Sequence, residues 1–429
     1  MSDTIREKER QTPVAHECNI CIVGGSCTGV FAAIQAARLG AKVAIIENNG
    51  CFGGSATAGL VNIWHSLYDP SGSKQIIRGL TWELIERLQK KSALTFNEHG
   101  ENAGYYIFNS AELMIELDLL LTEQPGIRPF LHARFADAVV ENGWVTHAII
   151  EDKSGRRAIK ADYFIDASGD GDLISRAKLP YTTNSSFQPP AACAIIYGLA
   201  EIHKKYPDFN IHDAIRNSKY TDLIKNSLLC DSELVGLPGA RILTGACVHD
   251  MDCSNADQLT YSEMEGRRQI RTVCDILKEN FEGGEKVSLV SLPSYISIRE
   301  TRHASCQHRI SERELSEGTR FPDAVANGSY RENIKKENYD GEEKSALPFY
   351  QIPFRSLVPN GSKNVITAGR LIDVDKNAYN SLCVMVNCNQ TGEAAGAAAT
   401  LALDSSIEIP AINTNKLRET LRKEGSIII

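Results

Sequence analysis

The sequence predicts an α/β fold: a central parallel sheet and a three-stranded β-meander form one discontinuous domain, interrupted by an inserted domain of mixed α+β type. Three observations predict it. Strand, glycine turn, helix and second strand follow one another over residues 19–47. Apolar and polar residues alternate in three runs between 130 and 160. A further strand ending in glycine, at 364–370, precedes a helix of small residues far along the chain from the elements it must join.

Bulk properties bound the answer. The 429 residues allow two or three domains, and 42% hydrophobic with 23% charged residues is a mix that buries a large core. Lys and Arg number 46 against 54 Asp and Glu, for a net charge of −8. That offers no basic stripe for a phosphate backbone, so no nucleic-acid partner is expected. The longest run of small apolar residues, Ala394–Leu403, is too short to cross a bilayer, and Met1–Gln11 is polar. A cytoplasmic, soluble protein with no membrane partner is therefore expected. Twelve scattered cysteines read as free thiols, including Cys18 and Cys21 on one apolar strand. The histidines show no metal-ligand spacing, so no metal site is expected.

Each element has a mechanical reason. Asn19–Val23 is an apolar strand, and Val30–Leu39 a helix. Between them Gly24, Gly25, Ser26, Cys27, Thr28 and Gly29 form a Rossmann-like turn. Gly24 lets the chain leave the strand sharply, and Gly29 lets the helix pack on the sheet. The uncovered N–H groups at the helix start suit a pyrophosphate. Ser26 stands where the middle glycine of the GxGxxG pattern would be; it is small, and its hydroxyl can donate to a phosphate oxygen. The strand Lys42–Ile46 ends at Glu47, 18 residues beyond Gly29, placed to accept hydrogen bonds from a ribose.

A second glycine- and hydroxyl-rich loop follows, from Asn48 through Gly53, Gly54 and Ser55 to Gly59, and suits a cofactor that extends past its pyrophosphate. The meander is expected at Phe130–Val139, Trp144–Glu151 and Arg157–Lys160. It leads into Ala161–Asp166 and the turn Ala167, Ser168, Gly169. The late strand Asn364–Gly369 ends at Arg370, and the small-residue helix is expected from about Asn387 to Leu403.

These segments, in this order, resemble the FAD-dependent oxidoreductases of the two-dinucleotide-binding-domain, glutathione-reductase-like type. They are similar, more narrowly, to an FAD-dependent oxidoreductase family with a GGGxAG turn followed by GGxATAGLVN. Here those read Gly24-Gly-Ser-Cys-Thr-Gly29 and Gly53-Gly-Ser-Ala-Thr-Ala-Gly-Leu-Val-Asn62. Further matches are Ile165–Asp172, Arg299-Glu-Thr-Arg302, Ile352–Leu357 and Ala368-Gly-Arg370, so the likeness spans residues 17–403. It implies non-covalently bound FAD with its adenosine on the first βαβ unit. Phe135 and Ala167–Gly169 would then line the adenine side. Gly369, Arg370 and Asp373 would approach the ribityl chain or pyrophosphate, and the amides of Val386 and Asn387 the pyrimidine edge of the flavin. The chain departs from the family with Lys376, Cys383 and Val386 where relatives commonly carry histidine, arginine and proline.

The domain boundaries expected are a polar tail at 1–16, an FAD-binding domain at 17–187 and 345–429, and a substrate or cap domain at 188–344. The charged stretch 331–344 reads as a solvated excursion. No second strand–glycine–helix unit for a nicotinamide follows residue 60, so electrons would come from the substrate or from a separate reductase or acceptor. Candidate chemistry falls on His65, Arg302, His303 and Arg355. Arg299, Arg302 and His303 share one short segment, and a guanidinium can clamp an anionic substrate; the plainer reading pairs these arginines with carboxylates such as Glu300 or Asp323. His65 follows the second glycine loop and is a candidate base or flavin contact. Cys383 and Cys388 bracket the expected flavin position. The function expected is hydride transfer between bound flavin and a small organic, anionic or neutral substrate, with oxidase and dehydrogenase both open. Two rivals stand beside it: a thiazole-synthase-like enzyme using cysteine chemistry, and a catalytically inactive flavoprotein or electron-transfer partner.

Overall fold

The computed structural model describes residues 4–98, 104–215, 229–331 and 348–429; the charged stretch singled out above lies almost wholly outside them. Three segments set the geometry. β1 (Val14–Val23) leads through the glycine turn into α1 (Cys27–Arg38), which returns to β2 (Val43–Ile46). β1 pairs in parallel with β2, and β2 with Ile127–Phe130. On its other side β1 pairs in parallel with the strand Gly155–Asp166, whose last residues pair in parallel with Val365–Thr367. The parallel core thus runs in the order third, second, first, fourth, fifth along the chain, the doubly wound arrangement. Every position of β2 is buried, as a strand covered on both faces requires.

The meander is antiparallel: Arg134–Glu141 pairs with Trp144–Asp152, which pairs with the first half of Gly155–Asp166. That last strand is twelve residues long and joins the meander and the parallel strands into one seven-stranded sheet. The sequence suggests two strands, 157–160 and 161–166, yet nothing between Lys160 and Ala161 turns the chain. Phe130 ends a parallel strand rather than opening the meander, because apolar alternation alone does not reveal which neighbour a strand will choose. β1 also begins at Val14, inside the stretch expected to be a tail.

The late helix spans Met385–Ser405 and lies against α1. Its residues from Val386 to Ala402 are all buried, so small side chains are what allow the two backbones to approach. Between residues 188 and 300 a separate apolar cluster forms. It packs an antiparallel sheet, ordered Cys230–Glu233, Ala240–Cys247, Ala191–Tyr197, Ser288–Ser291, against the helix Ala256–Asn280. The Asn255 side chain caps that helix by accepting from the amides of Asp257 and Gln258. Another small antiparallel sheet, Ile63–His65 with Tyr105–Phe108 and Leu94–Asn97, carries His65. Among the described residues, no helix is long and apolar enough to cross a membrane.

Candidate functional site

In a parallel sheet the carboxyl ends of the strands share one edge, and the loops leaving them form a crevice there. The register places Val23, Ile46, Phe130, Asp166 and Thr367 at that edge. Gly24–Ser26, Glu47–Ser55, Ala167–Gly169 and Gly369–Arg370 leave from it, so most residues expected to hold a cofactor converge there.

The glycine turn is built by contact. Gly24 has φ 101°, and its amide donates to the Ile46 carbonyl at 2.9 Å. A Cβ on Gly29 would fall 1.9 Å from the Gly24 carbonyl oxygen, and one on Gly25 2.6 Å from the Phe52 ring. No side chain larger than hydrogen fits either place. The Gly25 amide donates to Glu47 Oε2 at 2.8 Å, while Asn49 donates to Oε1 from its backbone and its side chain. Burial pushes the Glu47 carboxyl above its usual range, against these donors. Ser26 caps α1 by position but makes no side-chain cap bond, and the first turn holds no acidic residue. The opening of α1 therefore retains its free N–H groups and its positive dipole end.

Around this seat, Ser26 bridges in parallel to Gly53, whose amide donates to the Gly25 carbonyl at 2.9 Å. Asn48 is exposed. Ser168 donates from its amide and hydroxyl to the buried Asp166. The Gly369 amide donates to Thr391 Oγ1 at 2.9 Å, and Arg370 pairs with Asp170. Thr301 also donates to Asp170, at 2.8 Å. Asp170 and Thr301 lie inside the matched motifs Ile165–Asp172 and Arg299–Arg302 but were not singled out as site residues, and Thr391 carried no signal in the sequence. Neither did Tyr295, which reaches the second glycine loop from the far side of the inserted segment, beside Ser55 and Gly54. Ser297 donates to Ser55 Oγ at 3.0 Å, and the Ser294 amide to the Ala58 carbonyl at 2.8 Å.

Other expected residues lie apart from the turn. Phe135 packs on the apolar cluster of the meander. Asp373 accepts from the Cys306 amide at 2.8 Å. Val386 is buried, and Asn387 donates to Tyr350 Oη at 3.0 Å and to the Ser381 carbonyl at 3.1 Å. Arg302 donates to the Asp170 carbonyl at 2.9 Å and pairs with Asp172 at 3.2 Å. Arg355 pairs with Asp323 at 2.9 Å. The buried His303 lies 3.0 Å from Glu300 through Nε2, with the Tyr379 ring edge-on to it. The His65 ring lies 3.8 Å from that of Tyr330, centroid to centroid. Burial, and then Arg299, push the His65 pKa down to about 4. Burial pushes the Cys27 thiol up to about 12 and that of Cys388 higher still, and none of the twelve cysteines is in a disulfide.

The model of the FAD dependent oxidoreductase family matches residues 19–421. A comparison with curated protein sequences finds no match. Among solved structures, a geranylgeranyl bacteriochlorophyll reductase-like protein from Thermoplasma acidophilum is 12% identical. The match covers 96% of this chain and 84% of that one, with a TM-score of 0.50. A triple mutant of the flavin-dependent brominase Bmp2 is also 12% identical, with 95% and 84% covered and a TM-score of 0.50. At such identities the likeness is one of fold. The THI4 structure from Thermovibrio ammonificans matches 38% of this chain and 62% of its own, at 22% identity and a TM-score of 0.29, too low to carry an argument.

Proposed function

The chain belongs to the FAD dependent oxidoreductase family, and from that premise we propose that it oxidises or reduces a small organic substrate by hydride transfer with its FAD, without a dedicated NAD(P)H domain. The observation that carries this reading is the open start of α1. An uncapped helix N-terminus faces a turn too tight for any Cβ at Gly25 or Gly29. That is the shape and polarity a diphosphate needs. The residues present therefore fit FAD. Gly24–Gly29 would hold its diphosphate, Glu47 its adenosine ribose, and Gly53–Ser55, Ala167–Gly169 and Gly369 the flanking stretches. The core strand order together with the meander supports a glutathione-reductase-like cofactor domain at 17–187 and 345–429. The separate apolar core supports a substrate domain at 188–344.

Bound FAD supplies a two-electron acceptor or donor. The chain supplies placement and exclusion of water. Ser294, Tyr295 and Ser297 bring the inserted segment onto the second glycine loop and cover it. His65 suits hydrogen bonding to a substrate better than proton abstraction, since a pKa near 4 makes it a weak base at neutral pH. Arg302, His303 and Arg355 are engaged by Asp172, Glu300 and Asp323, and their roles are best read as holding the seam around the site.

The test is spectroscopic. The purified protein should carry a flavin band near ~450 nm. Under anaerobic conditions a substrate should bleach it, while NADH and NADPH alone should not. Rapid bleaching by either nicotinamide, or a protein that neither contains nor takes up FAD, would sink the reading.

A further inference from the structure

Arg299 is a half-buried cation that meets no counter-ion among the described residues. Its guanidinium makes no hydrogen bond or ion pair among the described residues. The adjacent carboxylate, Glu300, is spent elsewhere: it accepts from Asn184, from the Gln188 amide at 2.6 Å, and from His303 at 3.0 Å. The backbone of Arg299 is fixed, because the buried Tyr379 hydroxyl donates to its carbonyl. Its charge acts on His65, from the small sheet that follows the second glycine loop, and on Cys193, a buried thiol in the inserted sheet. Two residues before it, Ser297 binds Ser55 of that glycine loop. A guanidinium that meets no counter-ion among the described residues thus sits at the seam between the inserted sheet and the nucleotide crevice, within electrostatic reach of a histidine that does not compete with it for an anion's negative charge.

We propose that Arg299, flanked by His65, receives the carboxylate of a small organic acid, and that such acids are the substrate class. This assignment rests on the flavoenzyme reading above. A planar fork of donors recognises a carboxylate in two parallel bonds, which a neutral amide cannot reproduce. Taking a cation partly out of water without a partner costs free energy, which an anion arriving in the site offsets.

The FAD-loaded protein should be titrated with acetate, succinate and benzoate, and with acetamide, succinamide and benzamide, following the flavin absorbance and thermal unfolding. At least one acid should bind, and its amide should bind about tenfold more weakly or worse. Arg299→Gln should weaken that acid by about 10- to 100-fold, the range for loss of a charge-assisted pair, with FAD content unchanged. Arg299→Lys should recover part of the loss, which guards against a variant that merely folds badly. Arg313→Gln, on an exposed helix, should change nothing. Acids and amides binding alike, no acid binding, or unaltered acid binding in Arg299→Gln would overturn the assignment and leave the flavoenzyme reading intact. So would loss of FAD in Arg299→Gln, which would give the residue to the cofactor. A protein that never takes up FAD would sink the functional reading, and the substrate assignment with it.

Discussion

Gly392 of the late helix crosses Thr28 of α1 so closely that a Cβ on the glycine would lie 2.2 Å from the Thr28 carbonyl oxygen. One turn further along, a Cβ on Gly396 would lie 2.3 Å from the Ala32 carbonyl oxygen. The two helices therefore meet backbone to backbone. Thr28 also stands 3.3 Å from where a Cβ on Gly369 would be. The glycine turn, the late helix and the loop after the fifth parallel strand thus meet at Thr28.

Gly392→Ala should consequently push the helices apart. Overpacking of this kind costs about 1–3 kcal/mol, and here the displaced backbone is that of the turn proposed to hold the diphosphate. Thermal unfolding and FAD content per chain should both fall. A stable variant with full FAD content would show that the crossing has slack.

The turn itself gives a cleaner separation of folding from binding. Gly29→Val places a branched side chain against the Gly24 carbonyl, where even a Cβ would sit at 1.9 Å. The far side of α1 keeps its packing on the sheet, so circular dichroism should change little. FAD content should drop to about a tenth or less, a loss of roughly 1.4 kcal/mol or more in binding. Undiminished FAD would move the diphosphate away from α1.

Much of this turn was legible from the chain alone, because strand, glycine, helix and Glu47 are neighbours and their roles are local. What was not legible came from distant pairings. Asp323 was one of two carboxylates weighed for the arginines, and it does pair with Arg355, but sequence gave no way to choose it. Arg302 takes Asp172 instead, since the strand Arg302–Ala304 pairs with Tyr181–Thr183 and lies beside the loop after Asp166. Tyr295 and Arg299 follow Pro293 in a stretch without regular structure, so no periodicity marks what they face. The long strand Gly155–Asp166 reads as two because pairing with different neighbours changes its pattern halfway.

Arg370 and Asp170 form the tie that closes the loop after Asp166, with side chains 18% and 21% exposed. Removing one partner strands the other charge in a mostly dry place. Asp170→Asn and Arg370→Gln should each cost about 2–3 kcal/mol, less than a fully buried pair because some water remains. The double variant should cost much less than the sum, since the second change removes the stranded charge. Chemical denaturation of the three variants measures this. Strict additivity would mean that the two residues act separately, with Arg370 reserved for the cofactor.

Glu393 predicts a pH dependence that a neutral isostere abolishes. It lies fully buried in the late helix, where Oε2 accepts from the Leu80 amide at 3.2 Å and from Ser426 at 3.0 Å, while Oε1 has no partner among the described residues. Burial raises its pKa to about 8, outweighing those two donors. The folded protein therefore holds it protonated at neutral pH, whereas the unfolded chain ionises it near its model value of 4.5. Unfolding releases a proton throughout that window. Stability contributed by this group is intact below about pH 4.5, falls by up to about 1.4 kcal/mol per pH unit above it, and levels off beyond about pH 8. Glu393→Gln keeps an acceptor for Leu80 and Ser426 but cannot ionise, so its unfolding free energy should lack this decline and exceed that of the unaltered protein most clearly at pH 8. Parallel urea titrations at pH 5, 6.5 and 8 make the comparison. Curves that run parallel at all three values would show that Glu393 is already ionised in the folded state, with its charge met by a group other than Leu80 and Ser426.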